Sequence, residues 1–129
     1  MALSIRTANS EDTKEIGALF EQWGMPCKTM EFASETGFAV CNDNGIQGAA
    51  YLYKTNSPVS IIDMFVINKD LPKEEKETAI DLLIAALVVN SKKMGYRVIM
   101  AEPRFAKSID RLKKHGFTEM KPGTFWMEF

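Results

Sequence analysis

The chain has 129 residues, of which 46% are hydrophobic and 26% charged, and a formal net charge of −1. That composition fits one domain, residues 1–129, large enough to bury a core, and excludes the disordered and disulfide-dense classes. A charge this small gives no global attraction to nucleic acid, and the longest apolar stretch, Ala79 to Val89, carries Asp81 and is too short to span a bilayer.

In chain order, Leu3 to Arg6 is a short β-like run. Asp12 is placed to cap a helix, with Glu15 three residues on to complete a capping box. Ile16, Leu19, Phe20 and Trp23 fall at i, i+3, i+4 and i+7, so they share one face of that helix, and Gly24 stops it. Pro26 to Phe32 reads as a second, shorter helix. Gly37 to Asn42 and Ile46 to Tyr53 are strand-like, and Asn44-Gly45 between them signals a hairpin because both residues tolerate positive φ. After a turn at Thr55-Asn56-Ser57-Pro58, Val59 to Ile67 is a long strand, apolar except at Ser60 and Asp63. That pattern predicts cover on both faces of the sheet.

The segment from Lys73 to Met94 is a helix, apolar almost all round (Ile80, Leu82, Leu83, Ile84, Leu87, Val88, Val89), which places it hard against the sheet. Gly95 ends it. Tyr96 to Ala101 is the next strand, and a β-helix-β unit of this kind pairs its strands in parallel. Pro103 breaks that strand, Lys107 to His115 forms a last helix stopped by Gly116, and Phe117 to Phe129 closes as a hairpin turned at Pro122-Gly123. The order β-α-α-β-β-β-α-β-α-β-β describes one α/β domain, a mixed twisted sheet of about seven strands flanked by about four helices.

Cys27 and Cys41 follow no signal-peptide-like segment and read as reduced, buried thiols. They imply a cytoplasmic setting, or that of a viral particle assembled in a cytoplasm. Neither has a histidine nearby in sequence. The single histidine, His115, suits a helix C-terminus as a cation and makes no metal site with scattered carboxylates.

Three segments carry a family resemblance. Ile5-Arg6-Thr7-Ala8 followed by Asp12, the strand Ile62-Asp63-Met64-Phe65-Val66, and Ser108-Ile109 followed by His115-Gly116-Phe117 stand in the order of the opening, central and closing segments of the GNAT superfamily of N-acetyltransferases. The chain resembles that superfamily over essentially its whole length, which implies a GNAT-like fold and, for an active member, acetyl-CoA and an amine acceptor. In the superfamily, the helix after the central strand opens on Arg/Gln-x-x-Gly-x-Gly/Ala, whose backbone amides grip the pyrophosphate. Aligned on Leu82-Leu83, the matching positions are Glu74, Glu77 and Ala79, preceded by Val66 and Asn68 at the end of the strand. The last small residue is kept, while the basic residue and the close-approach glycine are not.

A Cβ at the glycine position blocks approach of a ligand to the backbone. Glutamates at a helix start stabilise the helix by about 0.3–1 kcal/mol each and repel a phosphate in the same place. Lys69, Lys73 and Lys76 are the nearby counter-charges. The expectation is therefore a degenerate cofactor site with no cofactor, acetyl-CoA being bound only through a remodelled loop.

Acyl transfer to an amine also needs a base and an acid. The superfamily's tyrosine before Gly-Phe corresponds to Leu112, and its asparagine to Phe105. Asp63, inside an apolar strand, is the candidate base because burial favours proton uptake by a carboxylate. Tyr96 is the candidate acid, with Tyr51 and Tyr53 as substitutes.

Two readings follow. One is a non-catalytic binding or assembly protein, similar to GNAT-like proteins without the cofactor loop that occur in phage particles. Its partner is another protein or a second copy, met by the cations Arg104, Lys107, Arg111 and Lys114 on one face of the last helix. Residues 82–129 carry 9 bases and 4 acids against 7 and 13 in residues 1–81, so the charge is uneven enough to orient such a contact. No aromatic residues interleave with the stripe, which argues against single-stranded nucleic acid. The alternative is an active acetyl-CoA-dependent N-acetyltransferase acting on a small amine.

Overall fold

The computed structural model describes residues 2–102, 106–121 and 124–129. Seven strands, β1 (Ser4–Thr7), β2 (Thr36–Asn42), β3 (Gly45–Tyr53), β4 (Val59–Ile67), β5 (Val98–Ala101), β6 (Thr118–Lys121) and β7 (Thr124–Glu128), follow the expected order. They are joined by three α-helices, α1 (Thr13–Glu21), α2 (Lys73–Lys93) and α3 (Ala106–Lys114). All strands lie in one sheet in the order β1-β2-β3-β4-β5-β7-β6. Every neighbouring pair is antiparallel except β4 and β5, the two strands joined through α2, which are parallel. The second helix expected over residues 26–32 is a 3-10 segment, Cys27–Phe32, entered from the extended Pro26 without a side-chain cap. The hairpin signal at Pro122-Gly123 lies outside the described residues.

The start of the chain departs from the expected capping box. Asn9 is the cap, its side chain accepting from the Glu11 amide at 2.9 Å while Asp12 accepts from the Asn9 amide at 2.9 Å. The Asp12 carboxylate is committed instead to Arg6, whose two guanidinium nitrogens donate to it at 2.8 and 2.9 Å. That fork holds the Asp12 carboxyl below its ordinary range, against the opposing effect of burial, with help from the Asn9 amide. Glu15 crosses to the β2–β3 hairpin and accepts from the Ile46 amide at 2.6 Å. The hairpin loop is Asp43-Asn44, and of the expected pair only Gly45 takes positive φ (116°), as the first residue of β3.

Two cores sandwich the sheet. On one face α2 and α3 cover Val40, Ala50, Leu52, Ile62, Ile99, Ala101 and Phe125 with Ala79, Leu83, Ile84, Leu87 and Leu112. On the other, α1 and the 3-10 segment cover Ala39, Ala49, Tyr51 and Val66 with Ile16, Leu19, Phe20 and Met30. Ser60, polar within an apolar strand, is fully buried and paired with Ser91 of α2 at 2.6 Å, so neither hydroxyl is orphaned.

Cover on both faces of β4 holds only in part. Ile62 and Val66 are buried on opposite faces, while Ile61 and Asp63 are exposed. Nor is α2 enclosed all round: its inner side is buried, but Ala85 and Val89 are exposed on its outer side.

Candidate functional site

β4 and β5 pair over only four positions, from Val59 opposite Val98 to Ile62 opposite Ala101. β4 then runs on to Ile67 while β5 stops. The parallel ladder therefore ends midway along β4, at the carboxyl ends of the two strands, the usual place for a ligand in an open α/β sheet.

Just past the last ladder pair, β4 changes face. Tyr51 pairs with Asp63 and Ala49 with Val66, so Ala50 alone faces Met64 and Phe65. Met64 takes φ 54°, the only non-glycine positive φ among the described residues. A left-handed methionine costs on the order of 1–2 kcal/mol, offset here by its amide donating to Asp63 Oδ1 at 2.7 Å. The bulge is what sends Val66 into the α1-side core when Ile62 points to the α2 side.

Asp63 is exposed, which corrects the buried base expected from its apolar strand. Alternation along the strand puts its side chain on the thinly covered face. Tyr51 and Tyr53 lie on that face too, opposite Asp63 and Ile61 in the β3–β4 register. Burial, then the Asp12 and Tyr53 charges, push the Tyr51 hydroxyl up to about 12. Burial and then the Asp63 carboxylate raise Tyr53, whose hydroxyl donates to the Phe32 carbonyl at 2.6 Å.

Gly37 makes room for the Tyr51 ring, since a Cβ there would run into it. Tyr96 is not part of this group. It precedes β5, five residues from Ala101 and so about 16 Å back along the strand direction, and its hydroxyl donates to the Thr55 carbonyl at 3.1 Å. The tyrosines that accompany Asp63 are Tyr51 and Tyr53, and their i, i+2 spacing within one strand was the available signal.

The segment between β4 and α2 is knotted by side-chain amides. The Asn68 amide donates to the Gln47 carbonyl at 2.7 Å, and the Lys69 amide to Gln22 Oε1 at 2.9 Å. The Asp70 amide donates to Asn68 Oδ1 at 3.0 Å and the Leu71 amide to the Asn68 carbonyl at 3.2 Å. Asn68 is itself gripped by buried Gln47 (2.7 Å) and by Gln22 (3.0 Å), and Lys69 lies over the Trp23 ring at 5.4 Å. All four successive amides are thus committed within the protein.

α2 then begins at Lys73 on Pro72, which has no amide to offer, and the Lys76 amide donates to the Pro72 carbonyl at 2.9 Å. The helix is continuous through Glu74, Glu77 and Ala79, so from Lys76 onward the amides turn inward to the preceding carbonyls. Ala79 is fully buried against the sheet, which gives its small side chain a packing reason. Val66 is buried in the α1-side core.

Glu77 carries a Cβ where the superfamily has glycine, but its charge is not free. Glu77 Oε2 lies 2.9 Å from Arg111 Nη2. One helical turn on, Asp81 meets Arg111 at 3.2 Å, Lys114 at 3.1 Å and His115 at 3.0 Å. Burial opposes ionisation of Asp81, yet the hydrogen bonds from His115 and Lys114 and the charges of Arg111 and Lys114 outweigh it and hold its carboxyl below the ordinary range.

These pairs tie α3 to α2 and engage Arg111 and Lys114 of the expected basic stripe with carboxylates, while the Lys114 side chain stays 60% exposed. Arg104 lies outside the described residues, as do Phe105 and the side chain of Lys107. Asp81→Asn should cost about 1–2 kcal/mol and speed amide exchange in α3 before the rest of the domain. An α3 that exchanges as slowly as before would mean that Leu112 and Ile109 hold the helix without the ion pairs.

Among the described residues there is no group of three or more metal-binding side chains, and no helix is long and apolar enough to cross a membrane. No family profile matches the sequence and no curated protein matches it.

Solved structures do match. A GCN5-related N-acetyltransferase from Kribbella flavida superposes with a TM-score of 0.81 at 12% identity, over 99% of this chain and 98% of that one. The ribosomal-protein-S18-alanine N-acetyltransferase of Escherichia coli gives 0.78 at 14% identity, over 98% and 92%. Rv2747 from Mycobacterium tuberculosis, solved in complex with CoA, gives 0.74 at 13% identity, over 92% and 73%. The chain has the GNAT N-acetyltransferase fold, a seven-stranded mixed sheet with three α-helices.

Proposed function

We propose that this chain keeps the acetyltransferase fold as a binding or assembly scaffold and does not use acetyl-CoA. The observation that carries the reading is the commitment of the Asn68 to Leu71 amides to Gln47, Gln22 and Asn68, followed by a helix that runs straight through Glu74, Glu77 and Ala79. A diphosphate needs free amides pointing at it and backbone that it can approach. Against a fit to that group stand the occupied amides of residues 68–71 and a Cβ at position 77, with Glu74 exposed beside the helix start. The Glu77–Arg111 pair neutralises one carboxylate, so at position 77 the obstacle to a phosphate is bulk rather than charge.

A second reading, an active N-acetyltransferase with a remodelled cofactor loop and a small amine substrate, draws support from the strand ends themselves. The β4–β5 ladder ends at Ile62 and Ala101, the Met64 bulge follows, and Asp63 sits beside Tyr53.

Calorimetry and thermal melting with acetyl-CoA separate the two. The scaffold reading expects no heat and no change in Tm at millimolar ligand. A ligand at a hundred times its dissociation constant stabilises the fold by about 2.7 kcal/mol. Saturable binding by the native protein, or acetylation of any amine, rejects the scaffold reading. Glu74→Arg with Glu77→Gly should not create tight binding while the Asn68–Gln47–Gln22 lock stands.

A further inference from the structure

The outward face of α2 is apolar along its middle and oppositely charged at its ends. Thr78, Ala85 and Val89 are exposed and Leu82 half-buried, Val89 showing 51% of its surface to solvent. Their spacings of four, three and four keep them in one stripe. Glu74 and Glu75 stand in the first turn, Lys92 and Lys93 in the last.

We propose that this face is the docking surface for a second copy of the chain, the two α2 helices packing antiparallel about a twofold axis between Leu82 and Ala85. In that register Glu74 and Glu75 of one copy face Lys93 and Lys92 of the other, at both ends of the contact. Thr78 faces Val89, and Leu82 faces Ala85. A partner for this stripe must be basic where α2 begins and acidic where it ends, and α2 reversed is such a segment. The helix dipoles also oppose in this arrangement. Ala85 leaves room for the axes to approach to about 8–10 Å. A twofold contact is closed, so it yields a dimer rather than a filament. Lys92 lies 5.1 Å from the Phe129 ring, which steadies its stem near the interface. The proposal is independent of whether the chain accepts acetyl-CoA.

Sedimentation over micromolar to millimolar protein tests it. The native chain should show a concentration-dependent monomer–dimer equilibrium. Val89→Glu should remove the dimer without lowering Tm of the monomer, as expected for an exposed position.

The charge arms do not depend on that variant. Glu74→Lys with Glu75→Lys, and separately Lys92→Glu with Lys93→Glu, should each weaken self-association by on the order of tenfold or more. An equimolar mixture of the two double variants should recover a heterodimer, because every end contact is then complementary. A native chain that stays monomeric, a dimer indifferent to Val89→Glu, or a mixture that fails to associate would each overturn the proposal.

Discussion

Asp12→Ala should lower the stability of the domain by about 2 kcal/mol, seen as an earlier denaturant midpoint with an unchanged slope. Asp12 is buried and accepts from both guanidinium nitrogens of Arg6 and from the Asn9 amide, so its loss breaks three hydrogen bonds at once and leaves exposed Arg6 and Asn9 to bond water instead. It also joins β1 to the entry of α1 through one side chain.

The same contact predicts a pH dependence. The folded carboxyl lies below its unfolded value of 3.8, so its contribution is complete above that value. It is lost as pH falls through the lower folded value, because the unfolded chain then takes up the proton first. Asp12→Asn should flatten that acid limb, leaving the part due to Asp81. An acid limb of unchanged steepness in Asp12→Asn would show that other carboxylates govern acid unfolding.

Leu83→Ala should cost about 3–4 kcal/mol and lower Tm by roughly 10–15 °C. Leu83 is fully exposed to the core and closed to solvent, packed with Val40, Ala50, Leu52, Ile62 and Leu87. Gly48 lies directly beneath it: a Cβ there would fall 3.6 Å from Leu83 Cδ1 and only 2.7 Å from Ile67 Cδ1. Helix α2 is therefore seated flush on β3, and little can move in to fill the space left by the side chain. Val89→Ala on the outer face of the same helix should cost well under 1 kcal/mol. Equal costs at the two positions would mean that the helix is seated the other way round.

Much of the fold was legible because it follows from local pattern. The Asn44-Gly45 signal, the β-branched run from Val59 to Ile67 and the glycines at 24, 95 and 116 mark where elements stop. Those three glycines do take positive φ, between 80° and 91°. The site was less legible. Sequence spacing placed Asp63 in an apolar strand, but whether that strand was covered on both faces depended on where α1 ended, and α1 covers Val66 rather than Ile61. Tyr96 looked equivalent to Tyr53 as a tyrosine in a strand, and only the register between strands put one beside Asp63 and the other at the far end of the sheet.

The ion pairs of Arg111 and Lys114 on α3 were hidden for a related reason. Spacing of three and four shows which cations share a helix face, not which carboxylates on another helix meet them. Asp81 lies 30 residues from Arg111 in sequence, yet it draws Arg111, Lys114 and His115 together. Likewise, the Lys69 amide is claimed by the Gln22 side chain 47 residues away, and the Asn68 amide by the Gln47 backbone carbonyl.

By itself the amino-acid order determined the element order, the parallel β-helix-β unit and the absence of glycine from the start of α2, because backbone conformation and side-chain period are properties of neighbouring residues. Only tertiary structure decided which polar groups were already partnered, since a hydrogen bond or ion pair is made between atoms that the fold brings within about 3 Å. That is why the missing glycine was visible in the sequence while the occupied amides behind it were not.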